Sequence, residues 1–113
     1  MADLNVLYDE AEKLKDDGKV QEAIAKHLEI LGMDDSFTLA HHALAVAYGK
    51  VGDHESAVKH GERACQLEPN DPFSFTAMSV TYQRAFAGTR NPEYIHLAEH
   101  AMAKAHALQG QNW

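Results

Sequence analysis

Apolar residues recur three and four positions apart along most of the chain, which is the period of an amphipathic α-helix. Leu44, Ala47 and Val51 show this spacing in the middle of the sequence. Helix-capping residues and helix breakers divide the periodic segments. The pattern predicts an all-α protein with six helices, near residues 3–16, 20–32, 36–50, 54–67, 71–86 and 93–108.

The helices recur in pairs at a constant offset of 34 positions, which is the separation of Gly18 from Gly52. The segment from Gly18 to Ala23 and the segment from Gly52 to Ala57 both begin with Gly, continue with mostly polar residues that include an acid, and end with Ala. One helical hairpin cannot bury both of its faces, so repeated hairpins stack into a solenoid. The sequence therefore predicts one domain over residues 1–113, an α-α superhelix whose three repeats span about 4–37, 38–71 and 72–110.

The third unit departs from this register after its first helix. Residues that match at the same offset are His41 with Phe75, Leu44 with Met78, Ala45 with Ser79, and Tyr48 with Tyr82. The second helix of the unit matches at an offset of 41, through Ala57 with Ala98, Gly61 with Met102, and Ala64 with Ala105. This change predicts an insertion of seven residues near 86–92.

Small and large residues alternate at equivalent places in the units. The small residues, which let helices approach closely, are Ala11, Ala45 and Ser79 on the first helices and Ala23, Ala57 and Ala98 on the second helices. Leu14, Tyr48 and Tyr82 are expected to fill the space between helices. Asp3, Ser36, Asp53, Asp71 and Asn91 stand where helix N-caps are expected.

These positions resemble the tetratricopeptide repeat family. The middle unit matches the family's signature at Leu44, Ala45, Tyr48, Gly52, Ala57, Ala64 and Pro69. His27, His41 and Gly61 depart from it, because a large apolar side chain is usual at their places. The resemblance covers nearly the whole chain and implies three stacked hairpins and a protein-binding adaptor or scaffold.

In that family the first helices line a concave groove that binds a peptide or a helix of a partner. The resemblance implies a groove here lined by Asn5, Tyr8, Glu12, Leu39, His42, Val46, Phe73, Thr76, Val80 and Arg84. Chaperone-binding members hold a peptide carboxylate with lysine, asparagine and arginine side chains. The matching places here are Tyr8, Glu12, Ala43, Phe73 and Ala77, which lack the charge-assisted donors that a carboxylate needs. We therefore expect no binding of chaperone tails.

The formal net charge is −7, and residues 1–35 carry ten acidic side chains against four lysines. Nucleic acids and anionic membranes require clustered Lys and Arg, and the sequence has no such cluster. Neither is an expected partner. The acidic groove end favours a protein or peptide partner with a basic edge, such as an amphipathic helix.

No apolar run is long enough to span a membrane, and the N-terminus lacks the basic and apolar regions of a secretory signal. The single cysteine, Cys65, forms no internal disulfide, which favours the cytoplasm. The sequence contains no P-loop, dinucleotide fingerprint or nucleophile elbow. We expect no enzymatic activity and no cofactor.

Eight histidines are an unusual number for 113 residues. His96 and His100 share one helix face, where two imidazoles could chelate a metal, but a solvated pair is the favoured interpretation. His27 and His41 replace large apolar residues and are expected to meet between the first two hairpins. They form either a neutral hydrogen-bonded pair or a pair that loosens the stack when protonated. A metal-binding or pH-responsive protein is therefore an alternative to the adaptor.

The last helix carries an apolar stripe with no further helix after it: Leu97, Ala98, Ala101, Met102, Ala105 and Leu108. Either Trp113 or a second subunit is expected to cover this stripe. The sequence thus predicts self-association as a homodimer through the C-terminal helix pair, and a self-assembling structural subunit is the other alternative.

Overall fold

The computed structural model describes residues 3–110, and Trp113 lies outside that range. Within it the structure contains six α-helices and no strand, as predicted. Their bounds are α1 Leu4–Asp16, α2 Val20–Met33, α3 Thr38–Lys50, α4 His54–Leu67, α5 Pro72–Thr89 and α6 Glu93–Gly110. Each helix packs on the next, and α3 also packs on α5. Such neighbour-to-neighbour packing is the arrangement of a helical solenoid.

Aspartate side chains begin three of the helices. Asp3, Asp53 and Asp71 accept hydrogen bonds from the backbone N–H groups of Asn5, Ser56 and Phe73. Gly18 and Gly52 have positive φ angles of 80° and 84°, which turn the chain sharply after α1 and α3. Three of the expected helix starts and two helix ends thus follow from local chemistry.

The expected cap at Ser36 is wrong. Ser36 instead donates its hydroxyl to Asp34, 2.6 Å away, which forms a local turn. Helix α3 begins two residues later than predicted, after Phe37, and Phe37 makes no side-chain cap. The side chain of Phe37 packs against Leu7, Ile30 and Ala40. Apolar contacts, and not a hydrogen-bonded cap, therefore set where α3 begins.

Helix α5 differs in length from the earlier first helices. It has 18 residues, whereas α3 has 13. The extra residues near 86–92 continue the helix to Thr89, where Arg90 takes a left-handed conformation with φ 62°. The insertion is therefore mostly a longer helix, followed by a short link to α6.

Small residues line the places where helices approach. The six alanines and serines predicted at these places are all buried, with between 0% and 6% of each residue exposed. Apolar clusters join consecutive helices, for example Leu7, Ile30 and Ala40 from α1, α2 and α3. These contacts hold the stacked hairpins in register and leave α1, α3 and α5 on a shared face.

The stripe on α6 is less open than the sequence suggests. Ala98, Ala101, Ala105 and Leu108 are buried, and α6 packs extensively on α5. Met102 remains half-buried. The apolar patch that α6 leaves exposed is therefore smaller than the sequence predicts. No helix within residues 3–110 is both long and apolar enough to cross a membrane.

Candidate functional site: the concave groove

Helices α1, α3 and α5 place equivalent residues side by side, because they are related by 34 positions. The first turns carry Asn5, Leu39 and Phe73. The next positions along the face are Tyr8, His42 and Thr76, followed by Glu12, Val46 and Val80. We call this face the groove, and it contains two neighbouring cavities.

The first cavity lies between α1 and α3 and reaches down to α2. Its volume is about 240 Å³, and we call it slot one. Six of the predicted groove residues line it: Tyr8, Glu12, Leu39, His42, Val46 and Phe73. Its floor is formed by Val20, Ala23 and His27 of α2. Slot one is therefore mainly apolar, with a few polar groups near its mouth.

The second cavity, slot two, lies between α3 and α5 and has a volume of about 290 Å³. It shares His42, Val46 and Phe73 with slot one and adds Thr76, Val80 and Arg84. Gly61 of α4 forms part of its floor, at the place that His27 occupies in slot one. Nine of the ten predicted groove residues thus line one slot or the other, and Asn5 lines neither.

Exposed apolar side chains mark this face. Phe73 is 62% exposed, Leu39 54%, Val80 37% and Val46 36%. These fractions are high for large apolar residues. Contiguous exposed apolar side chains typically mark binding surfaces, whereas scattered ones do not.

The charges of the groove are partly neutralised within it. The Nζ atom of Lys15 lies 2.8 Å from Glu12 Oε2, and hydrogen bonding to Glu12 raises the pKa of Lys15. Lys50 lines slot one and Arg84 lines slot two. Neither forms an ion pair with another residue in the described part of the chain. The groove therefore presents two unpaired cations.

Lys50 was not among the predicted groove residues, although the sequence contained a signal for it. Lys50 and Arg84 stand at equivalent positions of consecutive repeats, so the same repeat rule that gave Arg84 also gives Lys50. Ala47 of slot one was missed for a different reason. Small side chains give no apolar signal, and they line the slot because they leave it open.

His27 is buried, with 2% of the residue exposed. Its ring contacts Tyr8 edge-on, with 5.5 Å between centroids. Its Nε2 atom lies 3.6 Å from Glu12 Oε1, which is beyond hydrogen-bonding distance. Its Nδ1 atom has no hydrogen-bond partner among the described residues. Burial lowers the pKa of His27, and Glu12 partly opposes this.

His42 joins the two slots at the centre of the groove. Its Nε2 atom lies 3.3 Å from the hydroxyl of Ser74. Its ring meets Phe73 edge-on at 5.2 Å. Burial is the main cause of a lowered pKa at His42. A neutral imidazole therefore lies beside the most exposed aromatic ring of the groove.

His27 and His41 do not form the expected pair. His41 Nδ1 instead lies 3.0 Å from His60 Nδ1, and its Nε2 lies 2.8 Å from the backbone oxygen of Asp35. Because a carbonyl only accepts, His41 Nε2 donates, and in the neutral pair His60 Nδ1 donates to His41. The His60 ring also stacks on Tyr48 at 5.7 Å. Burial, followed by His41, lowers the pKa of His60.

His96 and His100 lie on the exposed surface of α6. No group of three or more His, Cys, Asp or Glu side chains within residues 3–110 is arranged to hold a metal ion. The pair by itself offers two ligands of the four that zinc usually takes. A solvated pair stays the favoured interpretation, and metal binding stays an untested alternative with no third ligand assigned.

A sequence model described as tetratricopeptide repeat matches residues 38–71. These residues contain α3 and α4, the middle hairpin of the stack. The middle hairpin thus has the sequence of a tetratricopeptide repeat. A search of curated proteins finds no matching sequence.

A solved structure extends the likeness in fold to the whole stack of hairpins. The second tetratricopeptide domain of Spaghetti (RPAP3), bound to the HSP90 peptide SRMEEVD, is similar with a TM-score of 0.75. It is 21% identical, and the match covers 93% of this chain and 91% of that one. At this identity the likeness concerns the fold. The predicted fold class and family resemblance are confirmed.

Proposed function

We propose that the chain is a protein-interaction module that binds a segment of a partner protein in the groove of α1, α3 and α5. The observation that carries the proposal is the cluster of four exposed apolar side chains around two open slots. The similar domain of Spaghetti, which is bound to a peptide of HSP90, gives further support. Catalysis and a cofactor form no part of the proposal.

The partner segment is expected to bind mainly through apolar side chains. Both slots are lined mostly by apolar groups, and buried apolar anchors dominate the energetics of most interfaces. A basic partner edge would find one carboxylate in the slots, Glu12, which Lys15 already contacts. Lys50 and Arg84 instead favour a carboxylate on the partner at the end of the groove where α1, α3 and α5 finish.

The groove can be tested with random peptides displayed on phage and selected on the full chain. Val46→Glu places a charge between the two slots, so we expect the selected peptides to bind at least about tenfold more weakly, which corresponds to 1.4 kcal/mol. Fluorescence anisotropy of labelled peptides measures the affinity. The apolar contacts that Val46 makes with the peptide cannot accommodate a desolvated carboxylate.

Val51→Glu is the matched control for Val46→Glu. Val51 is 42% exposed, follows α3 directly and lines neither slot. The same substitution there is expected to leave peptide affinity unchanged. If peptides bind Val46→Glu as tightly as the unmodified chain, or if the selection recovers none, the groove is not the binding site.

Self-association is the second candidate function, and an open face of the last hairpin supports it. A cavity of about 350 Å³ between α5 and α6 is lined in part by Phe86, Ile95 and Met102. Met102 replaces Gly61 of the preceding hairpin, and Gly61 faces Met78 of the next helix. Met102 has no such helix against it within residues 3–110.

A homodimer through α5 and α6 is expected to dissociate in the variant Ile95→Glu, because Ile95 is 38% exposed at this face. Sedimentation velocity at several concentrations measures the mass. A dimer that Ile95→Glu converts to a monomer is the expected result. A chain that stays monomeric at the highest concentration contradicts this second candidate and leaves the groove proposal intact.

A further inference from the structure

A fourth cavity lies on the opposite side of the stack from the groove. It opens between α4 and α6, has a volume of about 520 Å³, and we call it the outer cleft. Phe75, Met78 and Tyr82 of α5 form its floor. Pockets of this size typically bind small molecules or large side chains. The outer cleft takes no part in the proposed groove function.

The preceding hairpins show what normally fills such a space. The equivalent place between α2 and α4 holds the imidazole ring of His60. That ring stacks on Tyr48, with 11° between the ring planes, and hydrogen-bonds His41. Arg63 closes the same space by binding Asp35 through two nitrogens, at 2.9 and 3.1 Å.

The outer cleft is open because α6 carries a smaller residue at the equivalent position. The offset of 41 positions that relates α4 to α6 puts Ala101 in the place of His60 and Lys104 in the place of Arg63. The offset of 34 positions that relates α3 to α5 puts Phe75 in the place of His41. The Lys104 Nζ lies 6.0 Å from the centre of the Phe75 ring, which supports this alignment. Tyr82, the equivalent of Tyr48, stacks instead on Tyr94 at 6.1 Å. The small side chain of Ala101 leaves the space beside Phe75 open within the outer cleft.

The remaining walls define the chemistry of an occupant. Leu97 and Cys65 contribute apolar sides, and burial raises the pKa of the Cys65 thiol to about 11, so the thiol stays neutral. Glu62 lies at one wall, where one oxygen accepts a hydrogen bond from Tyr82 at 3.0 Å. Lys104 lies across the cleft on α6, together with His100. A ring with a polar hydrogen fits both groups, because its face attracts the cation and its N–H or O–H can donate to the carboxylate.

We propose that the outer cleft binds an aromatic side chain of a partner protein, and that tryptophan fits it best. The ring occupies the space above Ala101 that His60 fills one repeat earlier. The indole N–H donates to Glu62, and the ring face lies within reach of the ammonium of Lys104. The chain therefore has a second interaction surface, which is independent of the groove.

The proposal is tested with N-acetyl-tryptophanamide as the probe. It is titrated into the full ¹⁵N-labelled chain, and amide shifts are followed by NMR. We expect saturable shifts around Phe75, Met78 and Ala101, with a dissociation constant in the millimolar range. N-acetyl-leucinamide is expected to bind more weakly, because it offers neither a ring face nor a donor in the side chain.

Ala101→His supplies the missing ring from the chain itself, so the probe is expected to lose detectable binding at the cleft. Ala107→His is the matched control, because Ala107 is exposed on the same helix and lines no part of the cleft. If Ala101→His does not fold, Lys104→Met replaces it, since Lys104 is exposed. That variant is expected to bind the probe about two- to fivefold more weakly.

Several results would overturn the proposal. The first is the absence of amide shifts, or shifts that map to the groove. The second is that N-acetyl-leucinamide binds as tightly as N-acetyl-tryptophanamide. The third is that Ala101→His, or Lys104→Met where that variant is used, binds the tryptophan probe as tightly as the unmodified chain. Concentration-dependent shifts at the cleft without the probe would assign it to a second copy. Contacts between the ring protons of Trp113 and Phe75 would assign it to the same chain. None of these results affects the groove test with Val46→Glu.

Discussion

Gly88→Ala is expected to destabilise the chain by about 1–3 kcal/mol, although alanine is the better helix former. Gly88 lies in the added turn of α5. A methyl group on its Cα would overlap the ring of His54, the first residue of α4. The His54 Nδ1 atom is buried without a partner among the described residues. The Nδ1 side of the half-buried His54 ring is therefore enclosed, and the added turn of α5 packs closely on the start of α4.

A double-mutant cycle reverses the sign of this effect. In a His54→Ala background the overlap is gone, so Gly88→Ala is expected to stabilise the chain by about 1 kcal/mol. Urea unfolding of the four proteins measures the free energies. Gly32→Ala is the control, because a Cβ there meets no atom within 4 Å, and it should stabilise both backgrounds by about 1 kcal/mol. Stabilisation of the unmodified chain by Gly88→Ala would contradict this packing.

His27→Phe is expected to stabilise the chain by about 1–2 kcal/mol at pH 7.5, because it removes a buried nitrogen without a hydrogen-bond partner. Slot one adjoins the ring and leaves room for the slightly larger phenyl group. Tyr8 retains an edge-to-face neighbour. The free energy of unfolding in urea measures the change.

The stabilisation by His27→Phe should increase as the pH falls. The pKa of His27 is lower in the folded chain than its ordinary value near 6.5, so the unfolded chain binds the proton more readily. The free energy of unfolding of the unmodified protein therefore decreases as the pH falls below about 6.5, because protonation of His27 favours the unfolded chain. Phenylalanine has no such loss. His42 and His60, whose pKa values are also lowered, preserve part of the pH dependence.

His106→Phe is the matched control, because His106 is exposed on α6. It should change the free energy of unfolding by no more than about 0.5 kcal/mol. Two results would contradict the account of His27: a loss of stability in His27→Phe at pH 7.5, or a pH dependence as steep as that of the unmodified chain.

Much of the fold could be predicted because its signals are local. Helical periodicity, Asp caps and the Gly18 and Gly52 turns fixed most boundaries of the first four helices within about two residues. The end of α5 was missed, since the predicted helix stops near residue 86 and α5 continues to Thr89. In the structure Gly88 lies within the helix, where the His54 ring requires a residue without a side chain.

The groove could be predicted in part, because equivalent positions of the three repeats share one face. Its depth could not, since slot one depends on the spacing of α1 and α3 and on small residues such as Ala43. The pairing of His41 with His60 depends on how α3 packs on α4. Ring contacts across a helix pair have no signature in the spacing of residues.

The central claim is that a partner segment lies along α1, α3 and α5. The most direct measurement is an NMR titration of the ¹⁵N-labelled chain with the tightest peptide from the phage selection. The account predicts the largest amide shifts at the groove residues Leu39, Val46, Phe73 and Val80. Shifts confined to α2, α4 and α6 would contradict it.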